Sequence, residues 1–147
     1  MRLHRSTVVL AAVIGALVVA GMATAAATCF EVKKNATLTG SVEVPQTGDT
    51  DGSGKAVIGL NVAEGLVCWS MVVKGIATPL AAHIHKAPAG TAGPVVVPIG
   101  TPTSGATKGC GSAARALIRD IRNNPGAYYV NVHNKDFPGG ALRGQLG

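Results

Sequence analysis

Apolar and polar positions alternate along residues 36–44. Ala36, Leu38, Gly40, Val42 and Val44 share one parity, and Thr37, Thr39, Ser41 and Glu43 share the other. A period of two predicts a strand with one wet face. Residues 45–54 are dense in Gly, Asp and Thr, after which Ala56, Ile58, Leu60 and Val62 alternate again, so the two runs form an antiparallel hairpin. A tight connection at Glu64-Gly65 leads into residues 66–74, where both parities are largely apolar, as in a strand covered on both faces. Further strands are predicted at residues 80–85, 95–99, 128–132 and 141–146. Residues 112–124 break the pattern. Ala113, Ala116, Leu117 and Ile121 recur at helical spacing, Arg115, Arg119 and Arg122 share another face, and Pro125-Gly126 ends the run. One short crossover helix follows, with Ser112 as its N-cap. Residues 101–111, rich in Gly, Ala, Thr and Pro, read as a loop. Short strands at this spacing predict an all-β antiparallel sandwich or barrel of about 7 to 8 strands.

The first 27 residues stand apart. Arg2, His4 and Arg5 precede an apolar run that ends in the small residues Ala23-Thr24-Ala25-Ala26-Ala27. That order is the one of a secretory signal, cut after Ala25 or Ala27, and it predicts a secreted or cell-envelope protein. The expected layout is a signal peptide over 1–27, a short segment over 28–35 and one domain over 36–147. Without Arg2 and Arg5, 11 basic residues remain against 7 acidic, a net charge of +4. With no Lys/Arg run and few aromatics this does not read as a nucleic-acid surface. Weak attraction to anionic polymers or lipid headgroups is the most it supports. No stable membrane span is expected after signal cleavage, and the expected partner is an extracellular or envelope component of unknown identity.

Three cysteines in an exported chain imply one disulfide and one remainder. Cys68 in an apolar run and Cys110 in the Gly-rich stretch are the preferred pair, although spacing alone does not fix connectivity. Cys29 is then left for lipidation, for a dimer cross-link or as an idle thiol.

Parity makes the histidines informative. In residues 80–85, Leu80, Ala82 and Ile84 take one face, so His83 and His85 project together from the other. In residues 128–133, Val130 and Val132 face the core and His133 falls opposite, with Tyr129 and Asn131. If the two strands are neighbours, three imidazoles can converge on one zinc or copper ion, which requires them to lie within about 4 Å of each other. Asp136 or water is the candidate fourth ligand. The alternative is that these histidines simply hydrogen-bond loop carbonyls around residues 88–94. Asp49-Thr50-Asp51-Gly52-Ser53-Gly54 matches the opening of a calcium loop, but Leu60 stands where the closing acid belongs, and a solvated turn is the better account. No serine lies in a nucleophile-elbow context, so no catalytic residue is assigned. Arg143 and Gln145 alternate with Leu142 and Leu146 and are expected on the exposed face of the last strand. Asn35-Ala36-Thr37 is a formal glycosylation sequon.

Several blocks together carry a family resemblance: Glu43-Val44-Pro45, Gly54-Lys55-Ala56, Ala82-His83-Ile84-His85, Gly93-Pro94-Val95-Val96-Val97, Tyr128-Tyr129-Val130-Asn131-Val132-His133, and Pro138-Gly139-Gly140-Ala141-Leu142-Arg143-Gly144-Gln145-Leu146. In this order they resemble the CHRD (chordin-type) domain from about residue 36 to 147. Departures are the single Pro45, Lys86 after the second histidine, and Ala141. The resemblance implies an exported β domain of immunoglobulin-like or superoxide-dismutase-like architecture. The H-x-H strand with a later V-x-V-H strand is also similar to the copper ligands of Cu/Zn superoxide dismutases, an analogy of fold plus three residues. Two functions follow as expectations: a non-enzymatic extracytoplasmic binding or structural module, or a copper- or zinc-binding protein using His83, His85 and His133, with dismutase-like redox activity as its extension. Against dismutase activity, no fourth imidazole and no acidic zinc subsite is evident.

Overall fold

The computed structural model describes residues 31–147. The signal-like segment and Cys29 lie outside the described residues. The elements are β1 (Val32–Thr39), β2 (Ser53–Asn61), β3 (Leu66–Lys74), β4 (Pro79–Lys86), β5 (Val95–Ile99), β6 (Ala106–Ser112), α1 (Arg115–Asn123), a 3-10 turn (Pro125–Ala127), β7 (Tyr128–Asn134) and β8 (Leu142–Gln145). All eight strands join one antiparallel sheet in the order β5-β4-β7-β8-β1-β2-β3-β6. The sheet curls into a nearly closed barrel. Its seam with β1 is tied by Thr39 opposite Arg143 and by the reciprocal backbone bonds of Asn35 and Gly147, at 2.9 and 3.0 Å.

Alternation decides what fills the barrel. Leu38 of β1, Ile58 and Leu60 of β2, Val67 and Met71 of β3, Ile84 of β4, Val130 and Val132 of β7 and Leu142 of β8 all point inward and are buried. Burial of a side chain of this size contributes about 1.5 to 3 kcal/mol. Helix α1 adds Ile118 and Ile121 to the same core. A polar clamp fixes the helix to the sheet. Lys86 Nζ and Asn124 Nδ2 each donate to the Asp120 carboxylate at 2.7 Å, and the Tyr128 hydroxyl also donates to it. These bonds, led by that from Lys86, hold the Asp120 carboxyl well below the usual carboxylate range.

Five local expectations need correction. β1 starts four residues earlier than the alternation suggested and ends at Thr39. The chain turns at Gly40, where a Cβ would collide with the Asp49 backbone, so Val42 is exposed while Glu43 is buried. β3 is covered along one face, where Val67, Met71 and Val73 are buried, and only in part on the other, where Cys68 is buried but Val72 is 53% exposed.

Residues 106–112 are a strand rather than a loop, and the cause is Trp69. Its direct cross-strand partner is Gly109, on which a Cβ would stand 2.8 Å from Trp69 Cζ2. Gly109 therefore makes room for an indole. The same ladder sets Cys68 opposite Cys110, and the two are joined in a disulfide. Because Ser112 belongs to β6, it does not cap α1; Ala114 occupies that position with no side-chain cap.

The fifth correction concerns β8. Arg143 is buried, 1% exposed, and Gln145 is half-buried. Loop residues 87–94 fold over both and supply carbonyls that their side chains bind, and Gln145 also donates to the Gly126 carbonyl. Among the described residues, no helix is long and apolar enough to cross a membrane.

Candidate metal centre

The outward face of β4-β7-β8 is polar, and it is roofed by loops. Register sets its rows. His85, Tyr129 and Gln145 stand abreast, His83, Asn131 and Arg143 form the next row, and His133 lies opposite Ala81 in the one beyond. His83 and His85 are two residues apart on one strand, and His133 is the diagonal neighbour of His83 on the adjacent strand. Ring centroids are 5.7 Å apart for His83–His85, 5.2 Å for His83–His133 and 5.9 Å for His85–His133. One ring nitrogen from each histidine lies within 4.8 Å of the other two. Ligands bound at about 2.0 to 2.1 Å to one ion stand roughly 3.3 Å apart. A bound ion therefore requires the rings to turn inward from this spacing, which exceeds the 4 Å expected from sequence.

Each ring's second nitrogen explains its orientation. His85 Nδ1 donates to the Gly93 carbonyl at 2.9 Å, and His133 Nδ1 donates to the Pro138 carbonyl at 3.0 Å. A carbonyl can only accept, so both rings carry the proton on Nδ1 and keep the Nε2 lone pair free. Those two Nε2 atoms and His83 Nδ1 are buried and have no hydrogen-bond partner among the described residues. An unsatisfied buried nitrogen costs about 1 to 3 kcal/mol. Three such atoms in one cluster fit an imidazole-selective metal ion, which consumes all three lone pairs at once.

Electrostatics act in the same direction. Burial lowers the pKa of His83, and the neighbouring His133 and His85 lower it further. Burial likewise lowers that of His85, partly offset by the bond to Gly93. Both effects favour the neutral, ligating form of the ring.

A second layer of residues holds this geometry. The His85 ring stacks on Tyr129 with centroids 4.9 Å apart and planes 15° from parallel. The Tyr129 hydroxyl accepts from Gly93 N at 3.1 Å, so one tyrosine braces both His85 and the loop residue that orients it. Arg143 Nη2 donates to the carbonyls of Pro88 and Thr91 at 3.0 and 2.8 Å, and Gln145 Nε2 donates to that of Ala87 at 2.7 Å. Asn131 Nδ2 donates to the Glu43 carboxylate and to the Leu142 carbonyl, and Arg143 Nη1 stands 4.0 Å from Glu43 Oε1.

The three predicted histidines are thus brought together, and Asp136 is not brought to them. Its carboxylate pairs with Lys135 at 2.5 Å on the surface. The carbonyl-bonded alternative and the ligand reading turn out to be compatible, because they use different nitrogens of the same rings. At the calcium-like segment, Asp51 N donates to Asp49 Oδ1 at 3.3 Å and Gly52 N to the Asp49 carbonyl at 3.2 Å, the bonding of a turn. Glu43, Arg143 and Gln145 went unrecognised as supports of the site. Tyr129 and Asn131 were visible as face-mates of His133.

No curated protein and no solved structure matches this chain. A family does match. The CHRD domain covers residues 34–146, which include every strand that carries the histidines and their supports, and the chain therefore belongs to the CHRD domain family.

Proposed function

We propose that this protein is an exported binding module that holds one copper or zinc ion through His83, His85 and His133. The observation that carries the reading is the set of three buried, unpartnered ring nitrogens within 4.8 Å of one another. Imidazole nitrogens suit zinc and copper, whereas magnesium and calcium favour oxygen ligands. With three protein ligands, a fourth coordination position stays available to water or to a group from a partner. Export is supported by the signal-like first 27 residues and by the Cys68–Cys110 disulfide, which persists in oxidising compartments. The metal stabilises and orders the roofed face, and the module acts by binding rather than by catalysis.

The test is metal content and copper and zinc affinity of the full chain recovered after secretion, beside a His83→Ala, His85→Ala, His133→Ala variant shown to be folded. One equivalent bound by the wild type and none by the variant supports the reading and justifies a dismutase assay. Equal, substoichiometric binding by both sinks it.

A further inference from the structure

The three histidines are not held alike. His85 and His133 are each anchored by the nitrogen that faces away from the cluster: Nδ1 donates to the Gly93 carbonyl at 2.9 Å in one and to the Pro138 carbonyl at 3.0 Å in the other. His85 is also 8% exposed and lies flat against the Tyr129 ring. His83 is turned the other way round. Its buried, unpartnered nitrogen is Nδ1, whereas in the other two it is Nε2. The Nε2 of His83 reaches solvent and makes no hydrogen bond to any of the described residues.

Position in the sheet accounts for the difference. Gly93 and Pro138 belong to the loops that follow β4 and β7, and among the described residues neither loop sends a carbonyl to His83. Beside His83 stands the exposed Pro98 of β5, and β5 is the last strand on that side of the sheet.

A metal-ligating histidine whose second nitrogen is bonded to a carbonyl is fixed in tautomer and in ring orientation. For His85 or His133 to leave an ion, that bond breaks as well as the bond to the metal, and His85 also leaves the Tyr129 ring. His83 breaks the metal bond alone. With Nδ1 as its ligand atom its proton sits on Nε2, where water accepts it, so the ring swings outward without stranding a polar group.

We propose that His83 is the exchangeable ligand of the centre, and that the ion is received and passed on at this position by replacement of His83 with an imidazole from outside. The inference rests on the metal reading above. In the exchange the bond from the ion to His83 Nδ1 breaks as a bond to the incoming lone pair forms. One neutral ligand replaces another, and no electron moves. His85 and His133 keep the ion on the barrel meanwhile, and the vacated position matches the ring that left it.

The experiment uses the full chain with zinc as the metal and free imidazole as the incoming donor. Zinc affinity is measured with and without excess imidazole for the wild type and for His83→Gly, His85→Gly and His133→Gly, each checked for folding by circular dichroism. Imidazole is expected to raise the affinity of His83→Gly at least about tenfold and that of the other two variants less than about twofold. Nuclear magnetic resonance of the zinc-loaded wild type is expected to show His83 bound through Nδ1, with its Nε2 proton exchanging with water faster than the Nδ1 protons of His85 and His133. Where a variant fails to fold, these ring protons of the wild type decide. A wild type that binds no zinc overturns the metal reading and this inference together. If it binds one equivalent, that reading stands, and the exchange proposal alone is overturned by equal rescue of all three variants, by rescue of none, or by His83 bound through Nε2.

Discussion

The guanidinium of Arg143 lies 3.5 Å above the ring of Tyr129, and on β7 that ring stacks against His85. A strand remote in sequence from His85 thereby supports this histidine of the proposed metal site through one intervening ring. Replacing Arg143 with Met removes the cation and leaves the Glu43 carboxylate buried without it. The expected cost is about 3 kcal/mol in denaturant titration, with weaker metal binding than wild type at a temperature where both are folded. Tyr129→Phe keeps the stacked ring and deletes the bond to Gly93, so it should preserve most of the stability and still weaken metal affinity, by roughly tenfold.

Acid should weaken the metal-free protein through His83 and His85. Their folded pKa values lie below the ordinary 6.5, so the unfolded chain binds more protons between those values and 6.5. Stability is full above pH 6.5 and falls as pH drops through the folded values. Chemical denaturation of the apo protein between pH 8 and pH 5 checks this, and the His83→Ala, His85→Ala, His133→Ala variant should show a flatter profile. Metal affinity should fall over the same acid limb, since protons compete for the same lone pairs.

Reduction of the disulfide tests the other half of the barrel. Cys68 and Cys110 are 42 residues apart, and closing such a loop contributes about 4 kcal/mol in the chain-entropy account. A Cys68→Ser, Cys110→Ser variant should lose close to that amount in thermal or denaturant unfolding. Metal affinity should change little, because the histidines lie on β4 and β7.

Trp69 and Gly109 form a size-matched pair. Gly109→Ala places a methyl 2.8 Å from Trp69 Cζ2, so the indole or β6 has to move. The expected destabilisation is about 1 to 3 kcal/mol, with a change in tryptophan fluorescence that reports the displaced ring. A Gly126→Ala control, where a Cβ meets nothing within 4 Å, should alter that fluorescence very little.

Period-two alternation made most of the barrel legible, because an inward Leu38, Ile58 or Val130 has to be followed by an outward residue. The same rule placed His83, His85 and His133 on one face before any pairing was known. It failed where local chemistry was overridden across strands. Gly109 reads as loop because its reason is the Trp69 indole on another strand. Arg143 and Gln145 read as solvent-facing because alternation tells which side of a sheet a residue occupies, and not whether a loop lies over it. Asp136 was attractive only by its closeness in sequence to His133, whereas its carboxylate pairs with Lys135 on the surface.

The strand order gives β8 a consequence for folding. Four strands, β1-β2-β3-β6, form one run of the sheet, three, β5-β4-β7, form another, and β8 alone stitches the runs together. A ribosome makes β8 last of the eight, so barrel closure waits until residues 142–147 have emerged, including the bonds between Asn35 and Gly147. Contacts that distant slow folding through their loop-closure entropy. The two runs therefore stay unlocked until this last strand is in place.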